Sequence, residues 1–179
     1  MMSRYLLSFT LLLLMLLAGC STLGTHRNVN NDEQVQKAGI EISEDQLLDV
    51  WIEVFTPGDL PADEEAASGL SREIREAEAR YMPLQLRETM EKTGYWGAVR
   101  VVPQGTEGGE LLVRGSILVS DGENLELDIT AVDAAGNEWF SSTYEARVSV
   151  EAYRGAGQSG QEVFQALYNA IANDLAVHR

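Results

Sequence analysis

Residues 111–131, LLVRGSILVSDGENLELDITA, decide the fold. Leu111, Val113, Gly115, Ile117 and Val119 fall on one parity, and Leu125, Leu127, Ile129 and Ala131 repeat the pattern beyond Asp121-Gly122. A period of two with one apolar face is a half-buried strand, and two such runs about a turn signal are a hairpin. The register follows from keeping the apolar sets together. A two-residue Asp121-Gly122 loop sets Ile117 opposite Glu126 and mixes the faces. A three-residue loop, Ser120-Asp121-Gly122 with Gly122 left-handed, sets Ile117 opposite Leu125 and Gly115 opposite Leu127, and is the expected arrangement.

Outward from the hairpin, Asp133 to Asn137 reads as a further turn, followed by a strand from Glu138 to Val150. A four-residue loop buries Phe140, Tyr144, Ala146 and Val148. A three-residue loop closing on Gly136 turns Trp139 inward instead, and the first choice buries more apolar surface. Arg154 to Gly160 reads as a glycine-rich loop. Val163, Phe164, Leu167, Tyr168, Ile171, Ala172 and Leu175 then follow helical spacing. On the other side of the hairpin, Ala98 to Pro103 is a short strand and Leu47 to Phe55 a clean alternation, with Val50 and Ile52 opposite Trp51 and Glu53. Between them, Thr56 to Gly69 reads as an acidic loop. Ser71 then caps a helix running from Arg72 to about Thr93, with Ile74, Ala77 and Tyr81 as one stripe and Leu86 and Met90 continuing it. Pro83 predicts a kink or two short helices, and Gly94 the end. The expected fold is α+β: a single, mostly antiparallel sheet of about five strands with two helices packed on one face.

The 179-residue chain opens on an export signal. Arg4 precedes an apolar run from Leu6 to Leu17, too short to span a bilayer as a helix. Leu17-Ala18-Gly19-Cys20 closes it and resembles the lipobox of bacterial lipoproteins. That resemblance implies cleavage after residue 19, lipidation at Cys20, and, with Ser21 rather than Asp next, delivery to the outer membrane facing the periplasm. Three acyl chains exceed the two signals that stable anchoring needs. The organisation expected is therefore a signal peptide over 1–19, a lipidated cysteine and flexible tether over 20–46, and one periplasmic domain over 47–179. Such a tether has a mean span of about 25–30 Å, with Ile40 and Ile42 a candidate edge strand.

Removing Arg4 with the signal leaves 12 basic against 28 acidic residues, a charge of −16. That balance repels nucleic acid and anionic headgroups. Cys20 is the only cysteine, so no disulfide or thiol nucleophile serves the domain. His26 and His178 stand alone near the two ends, without ligand spacing for a metal or a place in a catalytic triad. The acidic loop lacks the alternation of a calcium site. Gly105, Gly108 and Gly109 lack the context of a phosphate loop and read as a turn, and Glu123, Glu126 and Asp128 read as a solvated strand face. No catalytic residue, metal or cofactor is expected.

The aromatic residues point to binding instead. By parity, Trp51 and Trp139 lie on the helix-free side of the sheet with Arg100 and Arg114, and Tyr95 and Trp96 stand at the helix-to-strand corner. Exposed tryptophan among arginine and polar groups is the composition of a partner patch. The alternative is that the tryptophans belong to the core or are covered by the N-terminal segment.

Segments 75–81, 95–101 and 168–175 (REAEARY, YWGAVRV and YNAIANDL) resemble an uncharacterised family of Gram-negative lipoproteins. The layout is also similar to TolB amino-terminal-like periplasmic domains and to lipoprotein activators of peptidoglycan synthases. Those place a second helix within the strand order, whereas three strands run on consecutively here. The resemblance brings no known activity, and the expected function, a membrane-tethered, non-enzymatic accessory protein with an envelope partner, rests on the lipobox and the candidate patch. A self-associating structural subunit is the alternative, and a cell-wall hydrolase a third reading.

Overall fold

The computed structural model describes residues 24–60, 71–159 and 162–179; Cys20 and most of the acidic loop lie outside them. The central hairpin forms as β4 (Leu111–Ser120) and β5 (Asn124–Asp133), antiparallel. Leu125, Leu127, Ile129 and Ala131 are all fully buried, as their parity requires. The register differs from expectation. Ile117 pairs with Leu127 and Gly115 with Ile129, because the turn comes one residue later and a bulge between Ile117 and Val119 absorbs an extra residue. Asp121 explains the turn, since its Oδ1 accepts from the amides of Glu123 and Asn124 and its Oδ2 from the Asn124 side chain. The bulge flips the remaining parity: Leu118 is exposed, and Ser120 rather than Val119 turns inward.

Next comes β6 (Glu138–Arg147), which pairs with β5 so that Ala131 faces Phe140, Leu127 faces Tyr144 and Leu125 faces Ala146. Tyr144, Ala146 and Val148 are buried, and Phe140 is half-buried against the core. The strand stops at Arg147, and the expected glycine-rich loop is instead helix α2 (Val150–Ser159).

Strand β2 (Leu48–Glu53) leads to helix α1 (Arg72–Glu91) and returns as β3 (Trp96–Val102), parallel to β2. Ser71 caps α1, its hydroxyl accepting from the Ile74 amide at 3.3 Å. Pro83 does not divide the helix. It has no N–H for the carbonyl of Ala79, four residues earlier, and that carbonyl instead accepts from the Phe55 amide at 3.0 Å. The proline thus frees an acceptor that ties the end of β2 to the helix. The buried face of α1 is Arg75, Ala79, Met82, Leu86 and Met90, whereas Ile74 and Tyr81 of the expected stripe are exposed. Burial of Arg75 is met by polar partners: it donates to the Ser120 carbonyl at 2.7 Å and to Glu78 at 2.9 Å.

The sheet has six strands in the order β1-β6-β5-β4-β2-β3 and is mixed, with three parallel pairings, rather than mostly antiparallel. The sixth strand is β1 (Thr25–Asn28), inside the segment expected to be a flexible tether. It pairs parallel with β6, and Val29 behind it enters the core. Ile40 stands exposed and forms no strand.

Helix α3 (Gln165–Val177) packs beside α1 over the sheet, with Leu167, Ile171 and Leu175 fully buried. It also holds the N-terminal segment. Asn173 Nδ2 donates to Glu33 Oε1 and to the Gln34 carbonyl, and its Oδ1 accepts from the Gln36 amide. Asn169 donates to the Glu33 carbonyl at 2.8 Å. Arg27 bridges Asp174 at 2.5 Å and Glu33 at 3.1 Å, and Asp174 also accepts from the Tyr144 hydroxyl at 2.8 Å. Buried amides require partners, and the polar residues of this segment supply them. Residues 24–36 are therefore part of the fold.

Candidate functional site

The helix-free face is built on β2, β4 and β5, and one loop changes its character. β3 ends at the far edge of the sheet and β4 begins beyond β2, so residues 103–110 must cross β2 on the side without helices. Gly108 and Gly109, both at positive φ, lie flat on Trp51. A Cβ at Gly108 would fall 2.4 Å from Trp51 Cη2, and one at Gly109 would fall 2.8 Å from Trp51 Cγ. Only glycine permits that approach. Trp51 does lie on the helix-free side, as its parity requires, but it is covered.

The same loop buries Glu53, which is 7 % exposed. Its Oε1 accepts from the Gly105 amide at 3.0 Å, and its Oε2 lies 3.6 Å from Nε of Arg114. Between this loop and the β5–β6 turn lies a groove of about 410 Å³, with Leu112, Arg114 and Val132 among its lining residues and Glu53 at its inner end. A shallow cleft with a few apolar side chains, one ion pair and the further carboxylates of Glu107 and Asp133 has the make-up of a recognition surface.

The other residues expected in the patch are dispersed. Arg100, half exposed, donates to Asp49 Oδ2 at 3.0 Å from β3. The Asp49 carboxyl is held below its ordinary pKa first by the Ala98 amide and then by Arg100. Trp96 is not at an exposed corner but in the core, 6 % exposed. Tyr95 is half-buried, and its hydroxyl donates to the Lys37 carbonyl at 3.3 Å. Trp139 stands two strands away from the groove's β4 wall, half-buried against the core beside a bulge, in a separate cleft with Gly24 and Phe140. Of the expected patch, then, only Trp51, Arg100 and Arg114 share a neighbourhood, and Arg114 alone lines the groove.

Sequence reasoning missed Glu53, Leu112 and Val132 as groove residues. The available signal is the cluster Gly105, Gly108 and Gly109, whose spacing suits a chain lying flat on a ring as well as a turn. Among the described residues no group of three histidine, cysteine or acidic side chains is placed to hold a metal ion, and no helix is long and apolar enough to cross a membrane. No family model, curated protein or solved structure matches the chain.

Proposed function

We propose that this chain is a membrane-tethered accessory lipoprotein of the bacterial cell envelope, acting from the outer membrane in the periplasm by binding a partner protein rather than by catalysis. The observation that carries the reading is Leu17-Ala18-Gly19-Cys20, closing an apolar leader shortly before strand β1 (Thr25–Asn28). Partner binding is favoured by the groove on the helix-free face. Glu53 and Arg114 pair with one another inside it, Glu107 and Asp133 add two further carboxylates to its lining, and Leu112 and Val132 offer apolar contact. A paired carboxylate with an amide donor on its other oxygen is committed to holding the loop. That arrangement suits a rigid surface for recognition more than acid–base work.

Metabolic labelling with a palmitate analogue tests the anchor. The wild-type chain is expected to carry the label in the outer-membrane fraction, and Cys20→Ser to lose both label and membrane association. An unlabelled wild-type protein, or label that survives Cys20→Ser, would overturn the reading.

A further inference from the structure

The docking of residues 24–36 onto α3 and β6 has a geometric consequence for a chain anchored at Cys20. We propose that the end of the domain formed by Gly24, Trp139 and the β5–β6 turn lies against the lipid headgroups, so that the anchor fixes the orientation of the domain as well as its location. The proposal rests on the lipoprotein reading given above.

Three residues separate Cys20 from Gly24, and the four steps between the two, at a full extension of about 3.3–3.6 Å each, reach no more than about 14 Å. A flexible tether ending at residue 46 would instead let the domain hang about 25–30 Å away and tumble. Gly24 is not free to swing. An ideal Cβ on it would lie 3.6 Å from the Ser141 carbonyl, and the next residue, Thr25, pairs with Ser142 through side chain and backbone. Because β1 and β6 are parallel, Gly24 emerges at the start of β6, beside Trp139 and the turn that precedes it.

The chemistry of that end fits a headgroup surface. The turn tip is Ala134-Ala135-Gly136, small and uncharged. Trp139 is half-buried, an amphipathic ring of the kind enriched at membrane interfaces. Asp133, Glu138 and Glu110 stand around the same end, and their charges bar entry into hydrocarbon. The domain therefore rests on the interface and does not insert. The opposite end, at the β4–β5 turn, lies one strand length away, about 33 Å for ten residues. Since Ala134 and Gly136 also line the groove, the groove opens close to the bilayer, within reach of a partner at the membrane surface.

The test uses the full lipidated chain in phosphatidylcholine vesicles containing a headgroup-nitroxide lipid. An environment-sensitive fluorophore is attached either at Ala135→Cys or at Glu123→Cys, on the two opposite turns. Flotation with the vesicles reports the anchor independently of the fluorophore. The expected result is flotation of both proteins, with quenching at position 135 at least threefold greater than at 123. Trp139→Ser should leave flotation intact and reduce the difference. Flotation with equal quenching at the two positions would overturn the orientation while leaving the anchor standing. Failure to float would remove the lipoprotein reading and the orientation with it.

Discussion

Asn173→Ala probes the contact on which the position of the N-terminal segment depends. The wild-type amide is 3 % exposed and makes three hydrogen bonds to that segment, at 2.8 Å from the Gln36 amide, 3.0 Å to Glu33 Oε1 and 2.9 Å to the Gln34 carbonyl. Each such bond is worth about 1 kcal/mol net, and truncation leaves the Gln34 carbonyl and the Gln36 amide without this partner. The expected loss is about 3 kcal/mol, or about 6–12 °C in Tm for a domain of this size. The segment should also release locally. Lys37 is exposed, and with the preceding residues released the bond after it is left to the Tyr95 hydroxyl on the Lys37 carbonyl and the Thr93 carbonyl on the Ala38 amide, so tryptic cleavage there should accelerate severalfold in the variant. Urea unfolding and a proteolysis time course read the two effects separately. A stability loss under about 1 kcal/mol with unchanged cleavage at Lys37 would refute the claim that Asn173 holds the segment down.

Gly109→Ala places a methyl group 2.8 Å from Trp51 Cγ at a φ of +75°, so a loss of at least about 1–2 kcal/mol is expected from the backbone alone, with red-shifted tryptophan emission as the loop lifts; unchanged emission and stability would show that the loop does not cover Trp51. Pro83→Ala should gain well under the roughly 3 kcal/mol that removing a helix-interior proline can bring, because the Ala79 carbonyl is already satisfied by Phe55; a gain near the full value, measured by urea unfolding, would contradict that pairing. Partial burial of the hydroxyl, together with its hydrogen bond to Glu162, pushes the Tyr81 pKa up to about 12 although the ring stays exposed. The stability tied to its protonated form is present below the unfolded tyrosine value near 10 and is lost as pH rises through about 12; Tyr81→Phe should flatten that alkaline limb in pH-dependent unfolding. At the acid side, burial raises the Asp121 pKa, but the Asn124 side chain and nearby amides outweigh it and leave a net lowering. Its contribution is present above the ordinary aspartate range and is lost as pH falls through the lowered value, so hydrogen exchange of the Glu123 and Asn124 amides should quicken there, whereas unchanged protection would count against the turn described.

The strand interiors were legible because burial on one face writes a period of two into the sequence. Leu125, Leu127, Ile129, Tyr144 and Ala146 are buried as parity requires. Pairing was less legible, since a bulge at Leu118 costs one residue and leaves no compositional mark. Strand β1 was invisible for a different reason. Thr-His-Arg-Asn has no apolar alternation, and its place comes from pairing with β6 and from Arg27 meeting Asp174, a residue 147 positions away. The stripe assigned to α1 failed because Arg75 takes a buried position there, with its charge met by Glu78 and the Ser120 carbonyl. In the candidate site, parity placed Trp51, Arg100 and Arg114 on the helix-free side, but no local pattern announces that a loop from a neighbouring crossover will lie over Trp51. Trp96 does stand at the helix-to-strand corner, but the sheet edge it begins folds under α1 and buries it, which takes it out of the candidate patch.

Site-specific photo-cross-linking from Leu112 in intact cells tests whether the groove beside Arg114 recognises an envelope protein, as proposed. The expected result is one dominant adduct with an envelope protein, lost in Arg114→Glu while the protein remains membrane-bound. Adducts only with other copies of the chain, or an adduct indifferent to Arg114→Glu, would contradict it.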